Sequence, residues 1–398
     1  MKLKLLFVIS DMMGGGAERS MSNITTHLPD NVEADLLLNS VSEVDFPTDA
    51  RIISLGMKPT IQKNLLYQLR ANIKRIRALR KLKKKNQYDA CISFIDSANI
   101  CNILTKTSGC KTIVSVRNFL PDDKKFVYQY IVIPLIKKLY NRADWVVGVS
   151  EEISQSLVAE MKISESYIKT ITNGYDISTI MHQCTKVVKD LQEYKDKFVY
   201  INIGRYTYQK AQWHLIRAFM RVHSKCSDTV LIIMGQGEER QYLEELTSEC
   251  DLKDSVVFIP YQTNPWAYLY HNNVFVIPSM YEGYCNTLCE ALICGVPCIA
   301  TDFRSSAREI LAPDTNMQQH IDRGIEYAKY GILTPVCSGE KNRKLVPLEE
   351  AERDLAEAMM VLYNDKKLYQ RYKELAQERG MQMGIDDKVE QWLEIAGK

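Results

Sequence analysis

The chain of 398 residues lacks the spacings that announce a metal site or a disulfide scaffold. It has 11 cysteines but no Cys-x-x-Cys pair, and its histidines (His27, His182, His214, His223, His271 and His320) are scattered without ligand spacing. A structural metal of the usual paired-ligand kind is therefore not expected, not even in the tightest cluster of Cys285, Cys289, Cys294 and Cys298. Most cysteines stand inside apolar stretches and read as reduced, buried small hydrophobes of a cytosolic protein. Long apolar runs are lacking too. Met1 to Ser10 imitates a signal peptide, but Asp11 occupies the place of a small-residue cleavage site. The run from Tyr128 to Ile136 falls far short of the ~20 apolar residues of a spanning helix, and Pro134 interrupts it. No excess charge of one sign exists: 51 basic against 49 acidic residues leave a net +2, which argues against a nucleic-acid binder. There is no phosphate-binding Walker loop, no complete Gly-x-Gly-x-x-Gly fingerprint and no Asp-x-Asp motif.

What is present is alternation. Short β-branched runs at Leu5–Ser10, Asp35–Asn39, Arg51–Leu55, Ala90–Ile95, Thr112–Val116 and Trp145–Ser150 are separated by longer helical patterns. A second series runs through Phe198–Gly204, Thr229–Gly235, Ser255–Pro260, Val274–Pro278 and Pro297–Thr301. This is the pattern of βαβ units building parallel sheets buried on both faces. The polar stretch from about 173 to 197 carries no apolar period and reads as a linker, and beyond about 345 the pattern is purely helical. One helix, Ile61 to Lys85, is conspicuous. Leu65, Leu69, Ile73, Ile76, Leu79 and Leu82 form a stripe expected to pack on the sheet, amid a dense set of lysines and arginines. The basic charge suits contact with an anionic membrane surface.

Three segments carry chemistry. Gly14-Gly15-Gly16 follows the first strand and opens a helix, so a phosphate or a sugar could meet free N–H groups there. Gly204-Arg205-Tyr206-Thr207-Tyr208-Gln209-Lys210 follows the first strand of the second series and sets two cations near a helix start, which suits a diphosphate. The segment Ser279 to Ala291 follows Val274–Pro278. It places Glu282 in a loop and Glu290 in the next helix, which Asn286 is expected to cap, with Thr287 and Leu288 in the first turn. Two carboxylates so spaced suit hydroxyl binding, one on a sugar ring and one on a ribose, each accepting a pair of donors.

The run Gly204 to Lys210, the Glu282–Glu290 pair with seven residues between, Gly295 to Asp302, the N-terminal Gly-Gly-Ala-Glu-Arg and Asn173-Gly174-Tyr175-Asp176 together resemble the retaining glycosyltransferases of family 4. The resemblance implies an α/β protein of GT-B fold: two facing Rossmann-like, doubly wound parallel-sheet domains with C-terminal helices crossing back to the first. The expected division is 1–180 for an acceptor-side domain, 181–378 for the donor-nucleotide domain and 379–398 for a helix returning to the N-terminal domain. By the same resemblance Arg205 and Lys210 hold the donor diphosphate, Glu290 takes the ribose, and Glu282 binds the sugar. Gly204, Asn286, Thr287 and Leu288 complete the pocket, Tyr261 faces the base, and Gly14, Gly15 and Gly16 close on the diphosphate. Where many members carry a histidine, this chain has Ser115-Val116-Arg117-Asn118, which makes Arg117 and Asn118 the candidates for a first-domain contact to sugar or acceptor. The expectation is transfer with retention from a nucleotide-sugar, by choice a UDP-sugar, to a glycan or polyprenyl-linked glycolipid of bacterial surface-polysaccharide synthesis. No cofactor, metal or nucleic acid is expected, and the site of action is the cytoplasm or the cytoplasmic face of the membrane. The rival reading is a non-catalytic subunit of the same fold that stabilises an active transferase.

Overall fold

The computed structural model describes residues 2–42, 46–58, 65–119 and 128–397. It divides into two compact units, Met1–Tyr175 with Gly384–Lys398, and Asp176–Met383.

The first unit is built on strands β1 (Leu3–Val8), β2 (Val32–Leu38), β3 (Arg51–Ser54), β4 (Ala90–Phe94), β5 (Lys111–Val116), β6 (Trp145–Gly148) and β7 (Ile168–Thr170). They form one sheet in the order β3-β2-β1-β4-β5-β6-β7, every neighbouring pair parallel. Helices α1 (Gly16–Thr25), α2 (Leu65–Asn86), α3 (Asp96–Ile103), α4 (Ile133–Leu139) and α5 (Glu151–Ala159) connect them. In the second unit, α6 (Ile177–Cys184) precedes β8 (Phe198–Ile203), and α7 (Gln212–Lys225), β9 (Thr229–Met234), α8 (Arg240–Glu249), β10 (Val256–Ile259), α9 (Pro265–Tyr270) and β11 (Val274–Ile277) follow. The unit continues through α10 (Asn286–Ile293), β12 (Cys298–Thr301), α11 (Ala307–Leu311), β13 (Glu326–Ala328), β14 (Gly331–Thr334), α12 (Glu350–Asn364) and α13 (Lys366–Met381). Its sheet runs β10-β9-β8-β11-β12-β14-β13, parallel except for β13 against β14.

Both sheets reverse their order at one point, between β1 and β4 and between β8 and β11. In such doubly wound sheets a crevice opens at the carboxyl ends of those strands. The strands form for the reason the sequence suggested: β9 and β11 are buried along their whole lengths, so both faces carry apolar side chains. The last helix, α14 (Ile385–Ala396), belongs to the first unit. Its Ile385, Val389, Trp392 and Ile395, spaced at three and four residues, enter the core with Leu5, Phe7 and Phe94. The Trp392 ring lies 5.6 Å from that of Phe94.

Two local expectations are corrected. The stretch read as a linker contains α6. In α2 the stripe read from the sequence packs only in its second half, where Leu79 is buried and Ile76 and Leu82 pack against the same core. Leu69 and Ile73 are 57% and 43% exposed, whereas Arg75 and Lys83 join Ala71 and Leu79 in the interior. Hydrogen bonding is the reason. The Arg75 guanidinium donates to Asn72 Oδ1, Ser97 Oγ, Ser10 Oγ and Asn39 Oδ1 at 2.9–3.3 Å. Lys83 Nζ donates to the Asn102 side chain at 2.7 Å and to the carbonyls of Asn102 and Thr105. A buried cation is tolerated when its donors are satisfied in this way. Ile61 and Lys63 of the expected helix lie outside the described residues.

Candidate functional site

In the second unit, β8 ends at Ile203 and leads through Gly204 and Arg205 into a tight turn over Tyr208–Lys210 before α7. Ala211, which caps that helix, sits in the left-handed region with φ 49°, an uncommon conformation for a residue with a Cβ. The turn delivers Lys210 to Glu282, in the loop after β11: Nζ and Oε1 stand 2.6 Å apart, with the side chains 15% and 10% exposed. Ser279 Oγ donates to the same oxygen at 2.7 Å, and Gln209 Nε2 donates to Oε2 at 3.2 Å. Burial pushes the Lys210 ammonium down, but the Glu282 carboxylate outweighs it, and the net pKa is raised above that of an ordinary lysine. Arg205 is exposed, and its guanidinium has no hydrogen bond or ion pair among the described residues. Its charge opposes the rise at Lys210, so the two cations feel each other.

The loop holding Glu282 is braced from the third side. Glu282 N donates to the carbonyl of Arg304 at 2.7 Å, just after β12. Ser305 Oγ donates to the carbonyls of Gly283 and Glu282, and Ser306 Oγ accepts from Cys285 N. The following helix starts at Asn286, with Cys285 as its cap residue and no side-chain cap bond. The expectation that Asn286 caps α10 is corrected: Asn286 is already helical, and its backbone N–H lies in the first turn with those of Thr287 and Leu288. First-turn N–H groups and the helix dipole attract an anion. Glu290 lies one turn further along and is buried, 1% exposed. The Cys285 thiol beside Lys210 and Glu282 is pushed up to about 11, chiefly by burial, and so stays protonated near neutral pH. Tyr261, half exposed, stands at the end of the edge strand β10, two strands away from β8.

In the first unit, Gly14 adopts φ +57°, and Gly15 leaves room for the carboxylate of Glu18, which folds back to within 2.0 Å of where a Cβ would stand. The start of α1 carries no side-chain cap. Arg117, at the end of β5, donates to Asn173 Oδ1 and lies 4.6 Å over the Phe94 ring. Burial pushes its pKa down to about 9 against the opposing pull of Tyr175 and Glu18, so the guanidinium remains charged at neutral pH. Asn118 is exposed, without a side-chain hydrogen bond among the described residues.

The structure thus brings Arg205, Lys210, Glu282 and the start of α10 to one set of strand ends, and joins Arg117 to Asn173. Sequence reasoning did not single out Gln209, Ser279, Ser305 or Ser306. Ser279 was within reach, since it follows directly on the strand end that leads to Glu282. A possible metal-ligand group occurs elsewhere: His214, Cys337 and Glu349 bring ligand atoms within 4.8 Å of one another. Its one carboxylate is already engaged. Glu349 accepts from Ser338 N and takes part in the capping box of α12, while Glu352 beside it accepts from His214 and Arg217. The cluster is better explained as a helix-capping ion pair.

Comparison with known proteins agrees over both units. The model of the Glycosyltransferase Family 4 domain matches residues 14–179. The model described as Glycosyl transferases group 1 matches residues 185–319. An uncharacterised glycosyltransferase of Methanocaldococcus jannaschii is 35% identical over 310 residues, 76% of each chain. An N-acetylgalactosamine-N,N'-diacetylbacillosaminyl-diphospho-undecaprenol 4-alpha-N-acetylgalactosaminyltransferase of Campylobacter jejuni is 25% identical over 94% of each chain. Among solved structures, Anabaena HepE in complex with UDP superposes with a TM-score of 0.74 at 18% identity, covering 98% of this chain and 99% of that one.

Proposed function

Because the chain belongs to the group 1 glycosyltransferases of family 4 type and has the GT-B fold, we propose that its second unit binds a UDP-sugar and transfers the sugar with retention to a polyprenyl-linked glycan. What carries this reading is the juxtaposition, at the carboxyl ends of β8 and β11, of the Lys210–Glu282 pair, the exposed Arg205 guanidinium and the start of α10. Breaking the bond between the anomeric carbon and the diphosphate oxygen leaves negative charge on the diphosphate. Arg205, Lys210 and the first-turn N–H groups of Asn286, Thr287 and Leu288 are the groups placed to stabilise it. Glu282 accepts from a sugar hydroxyl, and Glu290 from the ribose. The acceptor hydroxyl attacks on the face the diphosphate leaves, and a diphosphate oxygen takes its proton. In the first unit, the glycine turn Gly14–Gly16 lets the backbone come close to a phosphate or sugar oxygen, and Arg117 is the charged group for the acceptor side.

The acceptor class is proposed from relatives named for diphospho-undecaprenol-linked sugars, and from α2. No helix among the described residues is long and apolar enough to cross a membrane. α2 nevertheless exposes Leu66, Leu69 and Ile73 beside Arg70, Lys74 and Arg77, and it contains no acidic residue. Apolar side chains ringed by cations that meet no carboxylate among the described residues suit peripheral contact with anionic lipid. A cavity of about 470 Å³ opens among Lys58, Leu66, Tyr67, Arg70 and Lys74.

The test is nucleotide binding and release. Calorimetry with UDP, GDP and ADP, followed by nucleotide release from the matching sugars, should single out UDP. Glu282→Ala should abolish transfer while UDP still binds. An anomeric configuration inverted in the product, read by proton NMR, would remove the retaining mechanism. Binding to phosphatidylglycerol vesicles but not to phosphatidylcholine vesicles, weakened in a Leu66→Ser/Leu69→Ser/Ile73→Ser variant, checks the surface. Equal binding to both would remove the electrostatic part of it.

A further inference from the structure

We propose that Gln209 is a positioning residue for Glu282, fixing the single lone pair of that carboxylate left for the donor sugar; the inference rests on the donor-site reading above. A carboxylate offers about four acceptor directions, two on each oxygen. On Glu282 both directions of Oε1 are taken, by Lys210 Nζ at 2.6 Å and Ser279 Oγ at 2.7 Å. On Oε2 one is taken, by Gln209 Nε2 at 3.2 Å. One direction remains, so Glu282 receives one hydroxyl or N–H group of the sugar, not the pair that the sequence alone suggests.

The amide is itself held. Its second N–H donates to the carbonyl of Tyr281 at 2.7 Å, and its backbone carbonyl accepts from Met280 N at 2.9 Å. The two partners of the amide nitrogen, a carbonyl and a carboxylate, accept only, so the NH2 end must face them and the orientation of the amide is settled by chemistry. Lys210 and Ser279 alone pin one oxygen. Gln209 pins the other and ties the turn before α7 to the backbone of Met280 and Tyr281, just before Glu282. A neutral donor is required at this place, because an anionic side chain would face the carboxylate.

The experiment uses the full chain with Gln209→Ala, Gln209→Glu and the double variant Gln209→Glu/Glu282→Gln. The probes are UDP by calorimetry and nucleotide release from UDP-glucose, UDP-galactose and their N-acetylamino forms between pH 5.5 and 8.5. Gln209→Ala should lower kcat about 10- to 100-fold while the Kd for UDP stays within about twofold, since Arg205 and Glu290 are untouched. Gln209→Glu sets like charges together, so the pair shares a proton more readily as pH falls. Its activity relative to wild type should rise at least about fivefold from pH 8.5 to 5.5. Its Tm relative to wild type should rise over the same range, and the double variant should abolish that pH dependence. The Tm measurement needs no turnover and reports the 209–282 contact directly. Wild-type kcat in Gln209→Ala, a parallel loss of UDP binding, or a Gln209→Glu Tm difference flat with pH overturns the assignment. A wild-type chain that binds neither UDP nor GDP and releases no nucleotide overturns the donor-site reading and this inference with it, before any variant is compared.

Discussion

Two cation–carboxylate clusters of the second unit are built from similar parts and do different things. In one, Arg217 donates to both oxygens of Glu352 and to the carbonyls of Arg343, Val346 and Pro347, while His214 Nδ1 meets Glu352 Oε1 at 2.8 Å. Both members of the ion pair are fully buried. In the other, Lys210 meets Glu282 at comparable distance, but at the carboxyl ends of two strands, partly open to solvent and beside Arg205, which has no ion-pair partner among the described residues. The first cluster is sealed from solvent, with only His214 Nε2 lacking a partner among the described residues: its carbonyl partners belong to the segment before α12, and Arg217 staples both that segment and α12 to α7. The second leaves a lone pair of Glu282 and a neighbouring guanidinium to be used. Short distance and burial alone do not separate a structural ion pair from a functional one; unused donor and acceptor capacity at strand ends does.

The largest effect should come from breaking the closed cluster. Arg217→Met leaves the Glu352 carboxylate with one fewer cation in a solvent-free place, and should cost about 3–5 kcal/mol of stability. Adding Glu352→Leu should recover part of that loss, because removing both charges is less costly than stranding one. Urea unfolding of the single and double variants measures both. If the two single losses simply add, the cluster is not a unit. Lys210→Ala should show the opposite balance. Transfer should fall about 100- to 1,000-fold, roughly 3–4 kcal/mol in the barrier. Stability should fall by only about 1–2 kcal/mol, since the carboxylate left behind reaches water and keeps Ser279 and Gln209 as donors. Kinetics and melting of the same preparation decide whether the two clusters differ as stated.

Part of this contrast was legible in the sequence. The strand ends were, because fully buried runs such as Thr229–Met234 and Val274–Ile277 have few ways to be anything else. So was the pair Glu282 and Glu290, whose spacing is local. Partners remote in sequence were not. Gln209 and Glu282 are 73 residues apart, Arg217 and Glu352 are 135 apart, and nothing in either local pattern names the other. The unforeseen part of the α2 interior has the same origin: Arg75 is buried because Ser10 and Asn39, at the ends of β1 and β2, accept its hydrogens. A hydropathy stripe counts apolar side chains and has no means of counting those acceptors. Asn286 was misjudged as a cap because helix boundaries shift by a residue or two relative to sequence signals.

Acid should separate the clusters on a smaller scale. Burial alone would raise the Glu352 carboxyl, but His214 and Arg217 outweigh it and hold its pKa below the ordinary 4.5. A carboxyl whose pKa is lower in the folded than in the unfolded chain contributes stability that is complete above the unfolded value. That contribution is lost as pH falls through the folded one. Wild type should therefore lose stability from this group as pH falls below about 4.5. Glu352→Gln, less stable at pH 7, should show a flatter fall over the same interval. Asp302, held low by His320 and Arg308 against its own burial, adds a second loss below about 3.8 that the variant does not remove. Equal slopes for wild type and variant would mean that the Glu352 carboxyl is not the titrating group.

The smallest change expected in the fold is also the sharpest test of the contrast. Arg205 is exposed and unpaired among the described residues, so Arg205→Ala should alter stability by less than about 0.5 kcal/mol. If Arg205 is unused capacity awaiting a diphosphate, the same variant should weaken UDP about tenfold, near 1.4 kcal/mol, because a charge-assisted hydrogen bond to phosphate is lost. The loss should shrink as salt is raised, since an exposed cation is screened. Uridine without phosphates should bind both proteins alike, which keeps the deficit on the anion rather than on the base. An unchanged affinity for UDP would make Arg205 an ordinary surface residue and leave Lys210 and the start of α10 to hold the diphosphate without it.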